Sequence, residues 1–132
     1  MKTKDLRIGN LVYVKYTDSN FIEKQGITRV IGLSEEGNLG DGWKIELEAL
    51  EEDFENVEAY PIELTEEILL KCGFEFSHIT GDERVFSNKK INLLINAYDN
   101  NIIKFNVFII KHLHQLQNLY FALTQIELEI KL

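Results

Sequence analysis

A single cysteine, a single proline and a shortage of basic side chains set the first limits on this chain of 132 residues. With Cys72 alone, no intramolecular disulfide can form and no cysteine cage can hold a metal. Its place one residue before Gly73 reads as a small buried hydrophobe rather than a reactive thiol. One proline beside a hydrophobic fraction of 45% excludes a disordered chain. No stretch approaches the roughly 20 apolar residues of a membrane span, and the opening M-K-T-K-D leads into no apolar run. We therefore expect a cytoplasmic protein with no signal peptide and no membrane partner.

The deficit of Lys and Arg gives a formal charge of −8. Residues 1–62 carry 13 acidic against 7 basic side chains, and residues 63–132 carry 9 against 7. Nucleic-acid binding needs a basic surface that displaces counterions, so DNA and RNA are not expected partners. The acid is densest between Glu46 and Glu58 and includes Glu51, Glu52 and Asp53. A stretch of this kind is usually a solvated face and loop; the sharper reading is a surface aimed at a basic partner.

Against these absences stands one clear helix signal, I-E-L-T-E-E-I-L-L-K-C-G-F over 62–74. Thr65 suits the N-cap, Glu66 and Glu67 suit the positive end of the helix dipole, and Gly73 suits a left-handed cap. The predicted helix is 65–72. Before it, strand patterns fall at 11–14, 26–33, 43–49 and 56–60, separated by polar turns. In the third, Trp43, Ile45, Leu47 and Ala49 alternate with charged residues, as in a half-buried strand. Several short strands in about 60 residues suggest a small, strongly curved sheet or SH3-like barrel. After the helix, 74–78, 84–87, 90–96 and 102–108 read as extended, with a turn at 98–101. Leu113, Leu116, Tyr120 and Leu123 then recur at helical spacing, widened by Leu119 and Ala122. The tail, 126–132, alternates like a strand, with Ile126, Leu128, Ile130 and Leu132 expected inward. On that reading, truncation after Gln125 leaves a molten chain.

The segments K-D-L-R-I-G-N-L-V-Y-V, P-I-E-L-T-E-E-I-L-L-K-C-G-F and H-L-H-Q-L-Q-N-L-Y-F-A-L-T-Q-I-E-L-E-I resemble small proteins encoded by phages, prophages and mobile elements of gut Bacteroidota. The resemblance covers both ends and the middle of the chain. It implies no activity, cofactor or site residue. Where that group often has Gly after A-L-T, this chain has Gln125, which leaves the end of the last helix open.

Motifs for chemistry are sparse. His112 and His114 form H-x-H, but on a helix the two side chains point about 200° apart and cannot chelate together. His78 stands alone in a predicted strand and reads as structural. G-N-L-G-D-G at 37–42 lacks the Lys and the following helix of a phosphate loop. Glu51, Glu52 and Asp53 sit in a stretch predicted wet, unlike a catalytic carboxylate pair in a dry cleft. No nucleophile–base pair can be named, so no catalytic residue, metal or cofactor is expected. Tyr13, Tyr16, Phe21 and Trp43 are either barrel core or a peptide groove; Trp43 reads as core, while Tyr16 and Phe21 stay open.

The expectation is an α+β protein: an SH3-like β lobe over 1–62, then an α-β-β-β-α-β lobe over 63–132 with two helices and a small antiparallel sheet. It would act without catalysis, as an accessory protein of a phage or mobile element that contacts an unidentified protein. The alternative is an acidic inhibitor that mimics nucleic acid on a host enzyme; a small hydrolase ranks last. Candidate partner-binding residues are Tyr16, Phe21, Glu51, Glu52 and Asp53. A monomer is favoured over a homodimer paired through the tail strand.

Overall fold

The computed structural model describes residues 5–17, 20–34, 44–48 and 55–131. Among these residues the chain is mixed α+β, with two antiparallel sheets and two helices, and it divides into units Met1–Ile62 and Glu63–Leu132. Among the described residues, no helix is long and apolar enough to cross a membrane.

The first unit holds strands β1 (Leu11–Thr17), β2 (Glu23–Ser34), β3 (Lys44–Leu47) and β4 (Glu55–Tyr60), in the order β3-β2-β1-β4. A polar turn starts it. Asn10 is fully buried, and its side-chain oxygen accepts from the Arg7 N–H at 2.6 Å. Gly9 takes a positive φ of 100° there, which an L side chain resists. Strand β2 does two jobs: residues 23–29 pair with β1 and residues 30–34 with β3. Bulges on β4 between Glu55 and Glu58, opposite Lys15 and Thr17, and on β2 between Val30 and Gly32 add local twist. The core is Leu6, Val12, Val14, Val30 and Leu47, with Tyr16, Leu33 and Ala59 packed against it. Among the described residues the sheet does not close on itself, since β3 and β4 are its two edges. Trp43 lies outside the described residues.

The second unit runs α1 (Glu66–Lys71), β5 (Glu75–Thr80), β6 (Glu83–Ser87), β7 (Asn92–Asn96), β8 (Ile103–Phe105), β9 (Phe108–Ile109) and α2 (Leu113–Thr124). The expected caps of α1 are present. The Thr65 hydroxyl accepts from the Ile68 N–H at 3.2 Å, and Gly73 takes φ +85°. The strands form one meander, β5-β6-β7-β8-β9. Register puts Phe86, Leu93, Ile95 and Ile103 on one face, all fully buried. Arg84 shares that face and pairs with Glu66 of α1 at 3.2 Å, so α1 lies on it. The opposite face carries the Lys104–Glu83 ion pair at 2.7 Å.

Three expectations are corrected here. Five strands lie between the helices, so the α-β-β-β-α-β order becomes α-β-β-β-β-β-α. The run 102–108 is no single strand, because Asn106 adopts a left-handed φ of 53° and folds it into the β8–β9 hairpin. Asn tolerates that region better than most residues. The tail is no strand either: residues 126–131 are irregular. Gln125 turns the chain at φ 60°, and the Ile126 N–H bonds to the Thr124 hydroxyl at 3.1 Å, which takes it out of any ladder. Leu128 is buried as expected, but Ile126 is 50% exposed. The tail instead lies by the end of α1, where the Lys131 N–H donates to the Lys71 carbonyl at 2.9 Å. Finally, α2 buries two residues that read as polar in the sequence, His114 and Gln117, beside Leu113, Leu116 and Tyr120.

Candidate functional site

The sheet of the first unit carries apolar side chains on both faces, and only one face is core. Side chains alternate across a strand, and directly paired residues share a face. Val12 and Val14 point into the core, so Tyr13 and Lys15 point out. Tyr13 pairs with Ile27 on β2 and with Tyr60 on β4. The outer face therefore carries a continuous row, Ile27–Tyr13–Tyr60. Ile27 is 46% exposed and Tyr60 40%, with Tyr13 half-buried between them. Ile31, at the β2 bulge beyond Arg29, is also exposed.

Charges border the row on both sides. Lys15 pairs with Gln25 and Glu58 in the next rung, and its ammonium lies 5.8 Å from the Tyr60 ring centroid. Tyr60 donates its O–H to the Glu58 carboxylate. That hydrogen bond, with some desolvation and the Glu58 charge, raises the phenol pKa above its ordinary value. On the other side, the Arg29 guanidinium donates to the Gly9 carbonyl at 2.8 Å and stands 4.0 Å from Glu48. The site is thus an apolar strip with fixed charges at its rim. It can pack against apolar side chains and offer oriented polar contacts.

Of the candidate partner-binding residues, Tyr16 and Phe21 are described, and they take different places. Tyr16 sits on the opposite face from Tyr13 and packs on the core. Phe21 is 84% exposed at the turn after β1, at a positive φ of 61°. Glu51, Glu52 and Asp53 lie outside the described residues, as does the glycine segment 37–42. Sequence reading missed Ile27, Ile31 and Tyr60 as surface. The available signal was strand β2 itself, whose I-T-R-V-I places apolar residues on both faces.

In the second unit, His112 precedes α2 as its N-cap, with extended backbone at φ −126° and ψ 149°. The helical separation of the two imidazoles therefore does not apply: the His112 and His114 rings stack, with centroids 5.6 Å apart and planes 12° apart. Among the described residues, no group of three His, Cys, Asp or Glu side chains could hold a metal. Two hollows of about 490 and 450 Å³ flank the tail, and Cys72, Gly73 and Glu129 line both. Burial pushes the Cys72 thiol up to about 12, so it stays protonated and poorly nucleophilic at neutral pH.

No family model matches the chain, and no curated protein or solved structure matches it either. Fold and surface define its class as a mixed α+β chain of two antiparallel-sheet units, one of them with an apolar strip on its outer face.

Proposed function

We propose that this chain is a non-enzymatic accessory protein of a phage or mobile element, and that it acts by binding another protein through the outer face of its first sheet. The observation that carries this reading is the row Ile27–Tyr13–Tyr60, apolar and partly exposed on a sheet whose other face already holds the core. An exposed apolar strip rimmed by charge is the usual form of a protein-binding surface, and tyrosine is enriched in such interfaces. In this reading the first unit is an SH3-like lobe. The long β2, shared between two partner strands, and the two bulges support the curvature such a lobe needs. The raised Cys72 pKa favours a non-catalytic role, since the chain's one thiol is a poor nucleophile.

The test is affinity capture from the native host followed by mass spectrometry, comparing the natural chain with Ile27→Lys and Tyr13→Ala. Both positions face outward, so the fold should survive, as circular dichroism would check. The specific partner should be lost with either variant. A partner retained by both variants but lost on reversing Glu51, Glu52 and Asp53 to Lys would instead favour the acidic mimic, for which the charge of −8 is the supporting observation.

A further inference from the structure

We infer that strand β5 is a self-recognition edge, on which a second copy of this chain pairs antiparallel about a two-fold axis between Ser77 and His78. The inference rests on the second unit alone and is independent of the Ile27–Tyr13–Tyr60 face.

Among the described residues, strand β5 is the outer strand of the meander and pairs only with β6. All its residues are exposed, among them Phe76 at 53% and Ile79 at 65%. The direction of its free main-chain groups follows from the hairpin. The loop is Gly81-Asp82, with Gly81 at φ +57° in the first central position, where a tight II′ hairpin places glycine. In such a hairpin the closing pair, Thr80 with Glu83, is hydrogen-bonded across the turn. Bonded and non-bonded pairs then alternate along the ladder. Val85 with His78 and Ser87 with Glu75 are bonded; Arg84 with Ile79 and Phe86 with Phe76 are not. The N–H and C=O groups of Phe76 and Ile79 therefore point away from β6, along the open edge.

These two residues also share a side-chain face. Phe76 lies opposite Phe86, with the rings edge to face at 5.8 Å, and Ile79 lies opposite Arg84. Phe86 and Arg84 are two apart on β6 and so point the same way. The bulge between Phe76 and His78 brings Phe76 and Ile79 onto one face although they are three apart in sequence.

An antiparallel copy then fits in one register. Phe76 meets Ile79 of the copy, Ser77 meets His78, and Glu75 meets Thr80. A two-fold axis perpendicular to the sheet keeps faces matched, so both apolar pairs form on the same face and each exchanges its main-chain bonds. A slip of one residue would set Phe76 against His78 or Thr80. An in-register parallel arrangement would set Glu75 against its own copy. The bulge favours a copy over an arbitrary strand. A copy brings the same extra residue to the axis, whereas an unbulged strand leaves Ser77 or His78 unopposed, which is how bulges protect edges.

The test is sedimentation velocity on the full chain from about 1 to 500 µM, because one strand pair makes an interface at the small end of the specific range. The expected result is a reversible dimer within that range. Amide exchange should slow with rising concentration at Phe76 and Ile79 and not at Glu75 or Thr80. Ile79→Pro removes only an outward N–H, so it should leave the hairpin intact by circular dichroism and abolish the dimer. Ile79→Lys, which keeps the N–H, should weaken dimerisation at least tenfold. A chain monomeric at every concentration overturns the inference. So does a dimer that survives both Ile79 variants, or one whose protection maps to other strands.

Discussion

Three single residues hold positions whose chemistry can be measured. Gln125 ends α2 in left-handed backbone at φ 60°, a conformation that costs a side chain about 1 kcal/mol and costs glycine little. Its amide gives little back, with contacts to the Phe121 and Ala122 carbonyls only at 3.4 Å. Gln125→Gly should therefore stabilise the fold by roughly 0.5–1 kcal/mol in urea denaturation; a loss would show that the amide cap outweighs the backbone. Asn10 is the opposite case. It is fully buried and shapes the first turn through Arg7, so Asn10→Ala should cost about 1–3 kcal/mol. Cys72 sets a pH limit. Its folded pKa of about 12 lies above the 9.0 of a free thiol. The unfolded chain loses this proton first, so its contribution is fully present below pH 9 and is lost as pH climbs toward 12. Cys72→Ala should fall less steeply over that window when stability is followed by denaturant titration.

At the scale of elements, the tail gives the sharpest expectation. Leu128 is buried while Ile126 is half exposed, so one side chain anchors the segment rather than a full alternating set. Truncation after Gln125 should lower stability by roughly 1.5–3 kcal/mol and leave a cooperative, soluble fold, seen as a single lowered melting transition. A molten chain would restore the strand. The helix α1 was legible in the sequence because its signals are local: Thr65 and Gly73 act within one turn of the residues they cap. Strand positions were legible for the same reason, since β-branched runs and polar turns are short-range patterns. What could not be read was which face of β1 is core. Tyr13 and Tyr16 are both aromatic and lie on opposite faces. The choice between them is made by Leu6 and Leu47, which reach the same side from elsewhere in the chain. The candidate surface was missed on that account. The β8–β9 break was missed because it turns on one backbone angle at Asn106. The stacked imidazoles were missed because α2 begins one residue after His112.

For the molecule as a whole, charge and topology are the governing quantities. At −8 the chain repels phosphate over a range of about 8 Å at physiological salt, so a gel shift with DNA or RNA at ~0.15 M salt should show no micromolar complex. Topology divides the chain more unevenly than length does. The second sheet is a meander in which every strand pairs with its neighbours in sequence. The first is not, because β4 returns to pair with β1 after β2 and β3 have been laid down. That return has a consequence for biosynthesis. On the ribosome, the β1–β2 hairpin can form early, but Tyr13 acquires its neighbour Tyr60 only when β4 emerges. A nascent or prematurely ended chain that stops short of β4 has Ile27 and Tyr13 in place and lacks the third residue of the proposed recognition row. The surface thus comes into being at a defined point in translation, and a partner that reads all three residues would ignore aborted products.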